Sequence, residues 1–157
     1  MRVLLLSTCA LLAGCFAANA ATVTFTGTVS AICSILASTN GTLGLSTNGD
    51  EVSSLGTLGG ASGSATILSI GSNHILVDAP TRTAAPGGYV AAGEAVEVKL
   101  LGVSGLSAVD VDWTDVDVDI PVGTIAASAL TVHNRITNPG GFAAGNYATQ
   151  TIVTCTP

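Results

Sequence analysis

Residues 23–35 read Val-Thr-Phe-Thr-Gly-Thr-Val-Ser-Ala-Ile-Cys-Ser-Ile, with two kinds of side chain in alternation. The odd-numbered positions are mostly apolar, whereas every even-numbered position from Thr22 to Ser30 carries a hydroxyl group. Successive side chains of a β-strand point to opposite faces of a sheet, so this segment would have one apolar and one hydrophilic face. The pattern predicts one strand over Val23–Ile35, well beyond the usual length of about five or six residues.

Shorter segments with the same period of two follow along the chain. Strands are predicted at Thr42–Leu45, Ser64–Ser69, His74–Val77, Val96–Leu100, Leu130–Ile136 and Tyr147–Cys155. Connections are predicted as a hairpin loop at Gly71–Asn73, a loop with two prolines at Ala79–Gly88 and a turn at Asn138–Gly141. Helical periodicity is not found after the first twenty residues. Several short strands with turns between them predict an all-β protein, an antiparallel β-sandwich.

The segment Val109–Ile120 alternates apolar residues with aspartates. Its apolar side chains change from odd to even positions, with the change between Trp113 and Asp115, so a bulge, corner or tight turn is expected there. Calcium would need six to eight converging oxygens, yet alternate residues of a strand stand about 6.8 Å apart. We therefore interpret the aspartates as a solvated face that discourages edge-to-edge association, with calcium binding as the less favoured alternative. They are Asp110, Asp112, Asp115, Asp117 and Asp119.

The first twenty residues are typical of an export signal. Arg2 precedes a short apolar run, Val3–Ala13, and Ala18-Asn19-Ala20 fits the small-x-small pattern of a cleavage site. The prediction is a signal peptide over 1–20 and a single domain over 21–157. The apolar run is shorter than the roughly 20 residues that span a bilayer, and no later segment is apolar enough, so no membrane span is predicted.

A second signal overlaps the first. Leu12-Ala13-Gly14-Cys15 matches the bacterial lipobox, in which Cys15 would be lipidated and become the new N-terminus. Conventional cleavage is favoured because strand periodicity begins almost directly after Ala21. Lipid anchoring through Cys15 remains the alternative.

The charge and motif content exclude several classes of function. Without Arg2, three basic residues face ten acidic ones, which disfavours binding to nucleic acid and to anionic membranes. The only histidines, His74 and His133, have no second ligand at zinc-binding spacing. Motifs for a nucleophile or for phosphate binding are not found either. No enzymatic activity, cofactor or metal site is therefore predicted.

The cysteines indicate a disulfide. Cys9 lies with Cys15 in the export segment, which leaves Cys33 and Cys155. In an oxidising compartment these two most simply form one bridge, and chain-entropy models assign it about 4 to 5 kcal/mol. Two separate buried thiols are the alternative.

Two blocks of the chain resemble the chaperone–usher pilins. Val23-x-Phe-x-Gly-x-Val29, followed by Ala31-x-Cys33, is similar to the first conserved block of those subunits. Gly145-Asn146-Tyr147 and the Thr- and Val-rich run to Cys155 resemble their closing strand. The same blocks are similar to the spore coat protein U-like secreted proteins, which belong to the same broad assembly class.

The resemblance implies an immunoglobulin-like sandwich that lacks its last strand. Its groove would be filled first by a periplasmic chaperone, in concert with an outer-membrane usher, and then by the N-terminal strand of the next subunit. The donor candidates are Val23, Phe25, Gly27 and Val29. The chain departs from the pilin pattern in two ways. Conventional cleavage leaves only Ala21 and Thr22 before the block, and Cys33 has no partner except Cys155 in the final strand.

Two hypotheses follow from the sequence. The first is a structural subunit of a cell-surface fibre or coat, exported and assembled from copies of itself or related subunits by strand exchange. The second is a self-contained β-sandwich, either secreted as a binding module or anchored by lipid to the outer membrane. In the second hypothesis Val23–Ile35 completes its own sheet.

Overall fold

The computed structural model describes residues 24, 26–28, 30–123 and 125–157. The predicted signal peptide, Cys15, and the donor candidates Val23, Phe25 and Val29 lie outside these residues. The described residues form β-structure with no α-helix, apart from one 3₁₀ turn at Gly56–Leu58. The strands are β1 Ile32–Thr39, β2 Gly44–Leu45, β3 Glu51–Ser53, β4 Gly63–Ile70, β5 Asn73–Val77, β6 Thr81–Ala84, β7 Ala95–Ser104, β8 Ser107–Thr114, β9 Val118–Val122, β10 Ile125–Thr137, β11 Ala148–Gln150 and β12 Val153–Thr156.

The largest sheet is built around β10. One side of β10 pairs with β7, which in turn pairs with β8. On its other side, the first part of β10 pairs with β4 and the end of β10 pairs with β3. Strand β4 then pairs with β1, and β3 pairs with β2. Every pairing is antiparallel. The order β1-β4-β10-β7-β8 places β1 and β8 at opposite edges of the sheet.

A second sheet contains three antiparallel strands in the order β12-β5-β9, and β6 pairs with β11 separately. Both the large and the three-stranded sheet contribute side chains to one hydrophobic core. Its buried members are Ala65, Ile67, Ile75, Val77, Val98, Leu100, Val109, Ile120, Val122, Ala126 and Leu130. The cluster thus draws on both sheets, with β4, β7, β8 and β10 from the large sheet and β5 and β9 from the three-stranded one.

The predicted hairpin at Gly71–Asn73 is wrong, because β4 and β5 do not pair. They belong to different sheets, and the chain crosses between them at Gly71, whose φ of 95° favours glycine. Asn73 is buried, and its Nδ2 lies 2.8 Å from the carbonyl oxygen of Ile32 and 2.6 Å from Oγ of Ser69. The Asn73 side chain thus holds the segment that crosses between the sheets against β1 and β4. A hairpin between β4 and β5 would not need these hydrogen bonds.

The first predicted strand is displaced along the chain. Strand β1 begins at Ile32 rather than at residue 23 and continues to Thr39. The described residues between 24 and 31 are exposed and lie in no strand. The physical reason is the partner: β1 pairs with seven of the eight residues of β4, from Ile70 to Ser64, and the described residues of the threonine-rich segment belong to no ladder.

Most other predicted strands are confirmed with altered limits. The strands at Ser64–Ser69, Val96–Leu100 and Leu130–Ile136 lie within β4, β7 and β10, and the turn at Asn138–Gly141 is closed by a backbone hydrogen bond. The predicted loop Ala79–Gly88 contains β6, and the predicted last strand is divided into β11 and β12. The change of phase in the acidic segment is confirmed as a corner, since β8 and β9 belong to different sheets.

Candidate functional site

A groove of about 1000 Å³ lies where the edge strand β1 faces β11 and β12. One wall is formed by β1 and the following loop, the base by β4 and β10, and the other wall by the C-terminal strands. The lining residues are Ile35, Ser38, Thr39, Asn40, Gly41, Thr42, Leu43, Ser54, Gly63, Ser64, Ala65, Thr83, Val132, Asn134, Tyr147, Ala148, Thr149, Gln150, Thr151 and Val153.

The groove uncovers part of the inward face of the fold. Ile35 is paired in register with Ile67 and therefore lies on the same face of the sheet. Ile67 is 0% exposed, yet Ile35 is 41% exposed. Val132 and Val153 also pack against the core and are only partly buried. Core side chains at this point therefore lack the cover that a further strand would supply.

Edge strands border the groove on both sides. Within the described residues, β1 pairs only with β4 and β12 pairs only with β5. An edge strand presents a row of backbone N–H and C=O groups that can pair with another chain. The groove thus combines two edges with a few uncovered apolar side chains, Ile35, Val132 and Val153, in a lining that is mostly hydroxyl and amide groups.

The groove is electrically neutral. Of the described residues that line it, none is charged, and hydroxyl and amide groups supply its polarity. Asn134 organises its base: Nδ2 donates to Oγ1 of Thr149 at 3.0 Å, and Oγ1 of Thr151 donates to Oδ1 of Asn134 at 2.8 Å. These bonds hold the C-terminal strands against β10. Asn134 could have been found in the sequence as the polar residue on the apolar face of Leu130–Ile136.

A disulfide joins Cys33 of β1 to Cys155 of β12, as predicted. The Cα atoms of the two residues are 5.4 Å apart, so the two edge strands meet at this level. Further along, towards Ser38 and Thr151, they are separated by the groove. The disulfide therefore closes one end of the groove, and it is consistent with an exported protein.

The chain enters the fold beside this closed end. The carbonyl oxygen of Ile32 accepts the hydrogen bond from Asn73, and a Cβ placed on Gly71 would lie 3.1 Å from Cβ of Ala31. Further towards the N-terminus, the donor candidate Gly27 is exposed, and a Cβ there would have nothing within 4 Å. The described part of the predicted donor thus does not lie in the groove of its own chain.

A second, smaller cavity of about 410 Å³ lies next to an aromatic cluster. Tyr89 stacks on Phe142, and Tyr147 meets both rings edge-on. Glu94 accepts hydrogen bonds from the Tyr89 hydroxyl and from Nε of Arg82. Burial, followed by the hydrogen bond to Glu94, raises the pKa of Tyr89. Sequence reasoning missed this cluster because Tyr89 is distant in the chain from Phe142 and Tyr147.

Neither the two histidines nor the five aspartates singled out in the sequence line the groove. His74 Nδ1 is 2.8 Å from Asp119 Oδ1, and His133 Nδ1 is 3.2 Å from Oγ of Ser54. All five aspartates of the acidic segment are exposed, as predicted. Lys99 Nζ lies 3.0 Å from Asp112 and holds the pKa of that carboxyl below its usual value.

The described part of the chain contains no group of three or more His, Cys, Asp or Glu side chains arranged to hold a metal ion. Nor does any helix within it have the length and apolar character needed to cross a membrane. In comparisons with known proteins, no family model matches the chain, and no curated protein or solved structure matches it significantly.

Proposed function

We propose that this protein is a structural subunit of a bacterial surface fibre or coat that assembles by strand exchange. In this proposal the fold is an immunoglobulin-like sandwich with one strand missing, and the N-terminal segment of a second copy fills the gap. The observation that carries the proposal is the inward-facing side chain of Ile35, 41% exposed between two edge strands. A strand added there would cover it.

The chemistry of the N-terminal segment fits the groove. Residues 21–31 contain no charged side chain, and their apolar members recur at every second position. In strand addition, backbone hydrogen bonds supply affinity while alternate side chains occupy pockets. Val23, Phe25, Gly27 and Val29 would face the uncovered core, and the threonines between them would face solvent. A charged segment would have to bury its charge against neutral walls.

Head-to-tail repetition of this contact gives a fibre, because donor and acceptor are different surfaces of the same chain. An occupant of the groove before assembly would suppress aggregation, since unpaired strand edges can pair with other chains. The resemblance to chaperone–usher pilins supports a periplasmic chaperone and an outer-membrane usher as the partners in export.

The test is to delete residues 21–29 and to follow assembly by electron microscopy and sedimentation. The full mature chain should form filaments, and the deletion variant should remain a folded monomer, because the twelve strands found in the described residues all lie after residue 31. The matched control replaces Thr24, Thr26 and Thr28 by serine, which keeps the apolar face and should keep assembly. Filaments formed by the deletion variant would refute the donor assignment.

One observation favours a second candidate, a self-contained secreted or lipid-anchored β-sandwich that acts as a binding module. The disulfide between β1 and β12 ties the first and last strands together and so restricts how far the groove can open. This candidate predicts a stable monomer with residues 21–29 present. Intact-mass analysis would reveal a lipid adduct on Cys15 if the protein is anchored.

A further inference from the structure

The disulfide sets a limit on where a strand can be added. Neighbouring strands lie about 4.7 to 4.9 Å apart, so two strands that flank a third must be separated by about twice that distance. At Cys33 and Cys155 the Cα atoms are only 5.4 Å apart. No strand can lie between β1 and β12 at this level, whereas the groove is open at the level of Ser38 and Thr151.

The chain's own N-terminal segment leaves the fold at this closed end. Ala31 lies beside the corner at Gly71, where an added Cβ would crowd it, and the carbonyl oxygen of Ile32 accepts a hydrogen bond from Asn73. The exit point is therefore on the far side of Cys33 from the groove. To fill its own groove, the chain would have to reverse its direction tightly at residues 30–31, so that the N-terminal segment ran along the free edge of β1. Its first pairs would then fall at Ile32 and Cys33, where β12 already occupies the space.

We propose that the Cys33–Cys155 disulfide prevents the chain from filling its own groove and thereby directs the N-terminal segment into a second copy. The second copy's segment enters from the open end, beside Asn40–Leu43 and Thr149. This inference rests on the proposed strand exchange and adds the reason why exchange occurs between chains rather than within one.

The test uses a linker that lets the N-terminal segment reach the open end of its own groove while the disulfide stays intact. About twelve Gly and Ser residues are inserted between Ala31 and Ile32, with both cysteines retained. The eight residues of β1 span about 26 Å, and a twelve-residue linker reaches about 40 Å when extended. Short flexible linkers give effective concentrations in the millimolar range. At about 10 µM chain, self-filled monomers should therefore exceed assembled subunits by about 100-fold.

Three measurements decide the outcome: sedimentation for assembly, intact mass for the disulfide, and hydrogen exchange of the amides of residues 24–28. The matched control carries the same linker between Gly87 and Gly88, an exposed site where an added Cβ would meet nothing within 4 Å. It should assemble like the unmodified chain. The double variant Cys33→Ala/Cys155→Ala should also fill its own groove, and if it fails to fold, the linker variant alone decides.

The inference is overturned if the linker variant assembles like the unmodified chain while its residues 24–28 exchange rapidly. Failure of the proposed function has a different signature, because the unmodified chain would then form no filaments. Hydrogen exchange still decides in that case. Protection of residues 24–28 in the linker variant, but not in the unmodified chain, would support exclusion by the disulfide without a fibre.

Discussion

The two lateral sides of the molecule are built alike but present opposite surfaces. On each side an edge strand of the large sheet is linked to an edge strand of the three-stranded sheet: β1 to β12 by the disulfide, and β8 to β9 by the short segment between them. The β8–β9 side is joined by a corner of the chain and carries five exposed aspartates. The β1–β12 side is joined by a disulfide and is lined by uncharged residues.

The difference shows how one fold can protect one pair of edges and leave the other available. Charged side chains along an edge discourage pairing with another chain, because pairing would bring like charges together and remove them from water. The neutral side has no such protection among the residues that line its groove, and it uncovers Ile35. Charge placement thus supports the neutral side as the acceptor in the proposed strand exchange.

The largest effect is expected on the neutral side from Cys33→Ala/Cys155→Ala. The disulfide closes a loop with a sequence separation of 122 residues, so its loss should lower the free energy of unfolding by about 4 to 5 kcal/mol. Urea denaturation of the monomer measures this value, with reduction of the unmodified chain as the control. A loss below about 1 kcal/mol would mean that the bridge constrains the unfolded chain far less than its span suggests.

Ile35→Asp should abolish assembly. The carboxylate would be covered by the added strand in a neutral groove, and an unpaired buried charge costs about 3 to 5 kcal/mol, equivalent to a loss of affinity of 100-fold or more. The matched control is Leu36→Asp, because Leu36 neighbours Ile35 on β1, is 61% exposed and does not line the groove. Filament yield by sedimentation should be near normal for the control; equal losses in both would contradict the assignment of Ile35 to the acceptor surface.

Neutralising the acidic side should have a smaller effect. Asp110→Asn/Asp119→Asn removes one charge from each of β8 and β9 and should increase self-association, with a change in stability within about 0.5 kcal/mol. Light scattering against concentration measures it. The control Asp50→Asn/Asp78→Asn removes the same charge from exposed positions outside these strands. If both variants associate equally, net charge rather than edge protection is responsible.

The smallest effect is expected from Asp112→Asn. Lys99 holds the pKa of the Asp112 carboxyl below its usual value of 3.8 in the folded protein. The carboxylate therefore stabilises the fold when the pH is above the pKa of Asp112 in the unfolded chain. This contribution is lost as the pH falls through the lower pKa of the folded protein. Stability measured between about pH 2 and 6 should decline less steeply in the variant; an unchanged acid limb would show that the pair contributes nothing measurable.

Local properties of the sequence determined the β-content, the positions of β4, β7 and β10, the acidic corner and the choice of cysteines. A period of two, turn residues and a change of phase are each readable within about a dozen residues. The disulfide followed from counting, since Cys33 and Cys155 are the cysteines that remain after the export segment. The donor residues and the assembly they imply stay predictions.

Only the tertiary structure decided where β1 lies and what surrounds it. Alternation in Val23–Ile35 predicts a strand, but a strand forms only where a partner offers a ladder, and β4 offers one from Ile32 onward. The crossing at Gly71, the contacts of Asn134 and the uncovered Ile35 likewise depend on residues far apart in the chain. Pairing between distant strands is not encoded in the period of either strand, and for that reason the groove could be located only in the folded molecule.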